Sequence, residues 1–129
     1  MRKETIYLIC PVRNCSTAMQ LRLEEWVRAM EDRGNGVYYP ARDCAQDDPI
    51  GTAICAHHLR KMKSADVVYV WWDGDSKGSH FDLGMAYALG KPIMCAKELA
   101  ATEYKSYANV IIALCQAELL RRGARSDQA

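Results

Sequence analysis

No charge of one sign dominates this chain: 17 basic residues stand against 16 acidic ones, a formal net charge of +1. That balance gives no electrostatic case for a nucleic-acid or membrane partner. No apolar run reaches the roughly 20 residues of a membrane-spanning helix. The opening Met1-Arg2-Lys3-Glu4 is a short polar lead rather than a secretory leader. A soluble, cytoplasmic protein is expected. Any C-x-x-C pair is also missing. Cys10, Cys15, Cys44, Cys55, Cys95 and Cys115 are scattered, without the spacing of a zinc site or a disulfide framework. They read as reduced thiols acting as small apolar side chains. There is no internal repeat and no low-complexity segment, and the 129 residues read as one domain, 1–129, with room for a core.

What is present is organised around Ala65 to Ile93, ADVVYVWWDGDSKGSHFDLGMAYALGKPI. Val67 to Trp72 is a continuous apolar run rich in β-branched and aromatic residues, the mark of a strand buried on both faces of a parallel sheet. A polar turn follows, Asp73 to Gly78. Ser79 then opens a helix whose apolar positions are Phe81, Leu83, Met85, Ala86 and Leu89. Gly90 stops it, and Lys91-Pro92 leads into a strand over Ile93 to Ala96.

The rest of the chain repeats this alternation. Thr5 to Cys10 is the first strand. Ser16 or Thr17 caps a helix with Met19, Leu23, Trp26, Val27 and Met30 at helical spacing. After Gly34-Asn35-Gly36 comes a short strand, Val37 to Tyr39, stopped by Pro40. Ala41 to Gly51 has no apolar period and reads as a loop. Thr52 to Ser64 is helical, with Ile54, Cys55, Leu59 and Met62 inward. A last helix runs from about Lys105 to Arg122, followed by Gly123 and a frayed Ala124 to Ala129. Strands alternating with helices predict an α/β fold: one doubly wound parallel sheet, Rossmann- or flavodoxin-like, in strand order 2-1-3-4. The switch point then falls between the first and third strands, in a crevice walled by residues 11–16 and 72–79, where such sheets bind ligands.

The loop Asp73 to Ser79 offers backbone N–H groups, the Ser76 and Ser79 hydroxyls, Gly78 and a helix N-terminus, a fair cradle for an anion or ribose phosphate. It is not a calcium loop, because Lys77 occupies a ligand position and Gly84 stands where the bidentate glutamate belongs. Asp82 has two readings. Ser79-x-x-Asp82 has capping-box spacing, in which the carboxylate accepts from the Ser79 amide. Alternatively, the carboxylate faces the crevice as a nucleophile or hydroxyl ligand. His57 and His58 are adjacent on a helix and so point about 100° apart; they share no metal, and one should face solvent. Arg13 with Asn14, and Arg42, follow the first two strand ends at the same sheet edge. Tyr7, Trp71 and Trp72 read as core or crevice wall.

IYLICPVRN near the amino end, a helix leading into ADVVYVWW, and the run D-x-x-S-K-G-S-x-F-D-L-G-M-A-Y-A-L-G-K-P resemble the nucleoside 2-deoxyribosyltransferase family and the related 2′-deoxynucleoside 5′-phosphate N-hydrolases. The similarity covers roughly Thr5 to Asn109. It implies a doubly wound fold, cleavage of the bond between base and deoxyribose, no metal or redox cofactor, and a homodimer or tetramer whose neighbour completes each site. By position, the family's nucleophilic glutamate falls on Asp82, its second acid on His58 and its amino-terminal tyrosine on Tyr7. The family's loop serine or aspartate falls on Ser76, and its glycine-rich turn on Cys10–Cys15, with Arg13 at a substrate-binding arginine and Asn14 beside it; the neighbour's contribution comes from around Ser106 to Asn109. Arg42, Asp73, Gly78 and Ser79 are substrate-binding candidates from the reading of the loops themselves. Aspartate is one methylene shorter than the family's acid, histidine replaces the second acid, and Cys10 stands where the family has glycine. The expected function is deoxyribosyl transfer or hydrolysis on a nucleoside or nucleotide. The alternative is a nucleotide-binding module that has lost the chemistry.

Overall fold

The computed structural model describes residues 3–128; Met1 and Arg2 of the polar lead, and Ala129, lie outside them. Its elements are β1 (Thr5–Ile9), α1 (Thr17–Asp32), β2 (Gly36–Tyr38), α2 (Pro40–Asp43), α3 (Thr52–Ser64), β3 (Val67–Val70), α4 (Lys77–Ala88), β4 (Ile93–Cys95) and α5 (Tyr107–Gln128). The four strands form one parallel sheet in the expected order, β2-β1-β3-β4.

The sheet is buried on both faces because its strands are apolar at nearly every position, the exceptions being the exposed Thr5 and Gly36 that open β1 and β2. Along β1, Tyr7 and Ile9 point into one core with Tyr38, Val68, Val70, Met62, Leu83, Ala86 and Ile111. Ile6 and Leu8 point into the other with Leu23, Val27, Val37 and Val67. This two-residue alternation puts α1 on one face and α3 and α4 on the other, so the chain changes face between β1 and β3. Asp82 reaches that face through α4, and His58 through α3.

Ser16 caps α1, its Oγ accepting from the Met19 amide at 3.1 Å. At the other end of α3, the Lys91 ammonium donates to the carbonyls of Lys63 (2.9 Å) and Ala65 (2.7 Å). It thereby satisfies acceptors that a helix C-terminus leaves open. The Gly90 backbone that delivers Lys91 has φ +67°, a conformation natural to glycine. The LGKP segment thus ties the helix carrying His58 to the end of the helix carrying Asp82.

Several local expectations are corrected. The segment read as a loop from Ala41 begins inside a one-turn helix, α2; four residues show no period, and Pro40 starts the turn. Cys55 is exposed rather than inward, and Phe81 is 58% exposed. The last helix runs through Gly123 to Gln128. Glycine in a helix costs only about 1 kcal/mol relative to alanine and does not by itself end one.

Candidate active site

The helix α4 does not begin at Ser79. Ser76 is its N-cap, with Oγ accepting from the Ser79 amide at 3.2 Å. Asp73 stabilises the same turn from outside, Oδ1 accepting from the amides of Asp75 and Ser76, both at 3.0 Å. Gly74, at φ +83°, makes the bend between them. With Ser79 one turn inside the helix and its amide already bonded, the capping-box reading of Asp82 fails.

The Asp82 carboxylate turns instead toward the sheet. Oδ2 accepts from the Tyr7 hydroxyl at 2.8 Å and lies 3.4 Å from His58 Nδ1. Tyr7 is fully buried and Asp82 is 7% exposed. Burial, reinforced by the Asp82 charge and the hydrogen bond to it, pushes the Tyr7 hydroxyl far above its ordinary pKa. Tyr7 therefore stays protonated and donates. No hydrogen bond reaches Asp82 Oδ1 among the described residues, and that atom is not a sealed, unpartnered one. On the other side of the imidazole, His58 Nε2 is buried with no partner.

The remaining expected site residues divide. Arg13 and Asn14 are exposed on the loop after β1, where Asn14 has φ +56°. Ser79 is 2% exposed, and its hydroxyl is buried without a partner. The amides of Lys77 and Gly78, first in α4, make no bond among the described residues, as helix geometry leaves them. Cys10 lies below the same loop, its thiol pushed up by burial and by Cys15, Asp82 and Asp73. Arg42, by contrast, is engaged elsewhere. Its guanidinium bonds Glu31 (3.1 Å), Asp43 (2.8 Å) and the Val37 carbonyl (2.9 Å), joining α1, β2 and α2. Ser106 and Asn109 form the cap of α5. Ser106 Oγ accepts from the Asn109 amide, while the Asn109 side chain accepts from the Thr102 amide and donates to the Thr102 and Tyr104 carbonyls.

The expectation of one solvent-facing histidine also needs correction. His57 and His58 are both partly buried, and His57 Nδ1 bonds the Tyr38 hydroxyl at 2.8 Å. His80 packs on Trp72 (4.6 Å between ring centres) and Tyr107 (5.5 Å), its Nδ1 donating to the Ser76 carbonyl at 2.7 Å. An apolar groove of about 360 Å³ continues from His80 between α4 and α5, past Leu83, Tyr87, Tyr107, Val110 and Leu114. Neither Asp82, Tyr7 nor His58 lines it. Among the described residues no group of three or more His, Cys, Asp or Glu side chains is gathered for a metal ion.

Sequence reasoning missed Tyr38, which is the register partner of Tyr7 across the β1–β2 pair. The signal was available: adjacent parallel strands carry both tyrosines on one face.

The family model described as nucleoside 2-deoxyribosyltransferase matches residues 6–120, a span that contains Tyr7, His58 and Asp82. The chain belongs to that family. Its fold is shared with the solved 2-deoxyribosyltransferase of Bacillus psychrosaccharolyticus, at 20% identity and TM-score 0.62 over 85% of this chain and 95% of that one. It is shared too with the CMP N-glycosidase BcmB of Clostridium botulinum, at 23% identity and TM-score 0.55 over 85% and 79%. No curated protein matches the chain. At these identities the structures establish the common fold, a doubly wound deoxyribosyltransferase sheet.

Proposed function

We propose that this chain cleaves the N-glycosidic bond of a (deoxy)nucleoside or nucleotide, with Asp82 as the nucleophile. The observation that carries the reading is the orientation of Asp82: its carboxylate is held by Tyr7 and His58 at the switch point, not by its own helix. With Oδ2 fixed, Oδ1 is the attacking atom. It forms an ester bond to the anomeric carbon as the bond to the base nitrogen breaks and its electron pair leaves with the base. The departing base takes up a proton, with His58 beside the carboxylate as the assisting imidazole. Water then attacks the anomeric carbon in a hydrolase, or a second base in a transferase, and the carboxylate is freed. The Lys77 and Gly78 amides at the positive end of α4, with Ser76, Ser79, Asp73, Arg13 and Asn14 around them, orient the sugar or its phosphate. Arg42 supports the loop from behind rather than binding substrate. Assay against deoxynucleosides and deoxynucleotides should show base release by wild type and none by Asp82→Ala; equal background rates in both would refute the reading.

A second reading draws on the same contact. His58 and Tyr7 both lie on one oxygen of a short acid, an arrangement that also suits a nucleotide-binding module without turnover. It predicts thermal stabilisation by a nucleotide that is recovered unchanged.

The family reading extends to assembly. Tyr87 on α4 and Tyr107 and Val110 on α5 are exposed around one apolar groove, and Tyr104, Leu119 and Leu120 are exposed as well, the kind of apolar surface that marks a contact site. A two-fold homodimer, or a tetramer built from it, covers this face with its own copy. The α5 cap built by Ser106 and Asn109 is then the segment presented to the neighbour's crevice. Six free cysteines suit the reducing cytoplasm.

A further inference from the structure

Tyr7 and His58 share Asp82 Oδ2, yet neither is fixed by that contact alone. Their rings lie 6.0 Å apart and nearly perpendicular. Tyr38 closes the triangle, its ring 5.1 Å from Tyr7 at 33° and 5.9 Å from His58 at 77°. Tyr38 itself does not bond Asp82. Its ring is 8% exposed, and its hydroxyl is tied to His57 Nδ1 at 2.8 Å. Cys44 and Asp43 border it from the segment after β2. Each corner therefore comes from a different element: Tyr7 from β1, Tyr38 from β2 and His58 from α3.

We infer that Tyr38 is a positioning residue: its ring holds Tyr7 and His58 at the angle from which both meet Asp82. The inference deepens the proposed N-glycosidic chemistry and depends on it for its kinetic consequence, though not for its geometry. The direction of the anchoring bond is fixed by the two partners. Burial, with the Cys44 thiol, raises the Tyr38 hydroxyl, while burial and the charges of Arg60 and Lys61 lower His57. A protonated phenol thus donates to a neutral imidazole. Aromatic pairs prefer tilted and edge-to-face contacts at these separations, so Phe at position 38 keeps the support and an aliphatic side chain loses it.

The test compares Tyr38→Phe with Tyr38→Leu by two readouts. In turnover, Tyr38→Leu should lower kcat at least about tenfold with KM changed less than about threefold, the signature of lost alignment rather than lost binding. Tyr38→Phe should stay within about threefold of wild type. The second readout needs no substrate: Asp82→Asn should displace the His58 imidazole NMR resonances equally in the wild-type and Tyr38→Phe backgrounds. The displacement should fall by more than half in the Tyr38→Leu background. If wild type turns over no nucleoside or nucleotide, the proposed function fails and the NMR comparison alone judges Tyr38. Full displacement in Tyr38→Leu, or equal impairment in Phe and Leu variants, overturns the positioning role. Should Tyr38→Leu not fold, Tyr38→Met, with similar reach and no ring, takes its place.

Discussion

Replacing Tyr7 by phenylalanine removes one oxygen atom from a side chain with no solvent exposure, and with it the 2.8 Å bond to Asp82 Oδ2. A hydrogen bond to a charged group contributes about 1.5–3 kcal/mol. His58, 3.4 Å away, remains as the carboxylate's other partner, so a loss of about 2 kcal/mol is expected at pH 7. For a chain of this length the unfolding entropy is about 0.27 kcal/mol per kelvin, so the melting temperature should fall by roughly 7 °C. The pH dependence is the more telling test. The Tyr7 hydroxyl is raised in the folded state, first by burial and then by Asp82, whereas in the unfolded chain it titrates near its ordinary pKa of about 10. Above that pH the unfolded state releases a proton that the folded state keeps. Stability contributed by Tyr7 is thus full below about pH 10 and is lost at about 1.4 kcal/mol per pH unit as pH rises beyond it. Phenylalanine has no such term. Urea denaturation of both proteins between pH 7 and 11 should show wild type more stable at neutrality and the two curves converging above pH 10. A difference that stays constant with pH, or no difference at pH 7, would refute the buried Tyr7–Asp82 bond.

Three further outcomes follow from the geometry. Ser76→Ala removes the side-chain cap of α4 and should lower stability by about 1 kcal/mol in chemical denaturation; Ser79→Ala, if Ser79 were the cap, would show that loss instead. Lys91→Met leaves the Lys63 and Ala65 carbonyls without their ammonium donor. It should cost about 1 kcal/mol and speed amide hydrogen exchange in the last turn of α3. Light scattering at micromolar concentration should give at least twice the 14.5 kDa chain mass, and a folded monomer that still binds nucleotide would sink the shared site.

The sheet was legible because its signals are local and redundant. Val67–Val70 and Thr5–Ile9 are apolar at nearly every position, which only a sheet covered on both faces explains, and alternation with helices then restricts the order to few choices. The helix boundary was not legible, because Ser76 and Ser79 are equally good cap residues and three residues apart. Only the Asp73 side chain, closing the turn on the amides of Asp75 and Ser76, decides between them. Asp82 inherited that ambiguity: its spacing from Ser79 suits a capping box, and its true partners lie 75 residues away at Tyr7 and across the sheet on α3. The partners of Arg42 were hidden for a similar reason. Its position after β2 faces the ligand edge, yet Glu31 and Asp43 claim its guanidinium, and the Glu31 contact depends on where α1 ends in space. Tyr38 and His57 were missed because their roles arise from pairing between elements, not from any motif.

The central claim is that Asp82 forms a bond to the sugar, and intact-mass spectrometry of acid-quenched reactions tests it most directly. Mixed with a substrate that it turns over, the wild-type chain should gain the mass of one deoxyribosyl unit from a deoxynucleoside, or of one 5-phosphodeoxyribosyl unit from a deoxynucleotide, and peptide mapping should place it on Asp82. Asp82→Asn should gain nothing. Base release by wild type with no adduct under any quench, or an adduct mapped to another side chain, would contradict the account.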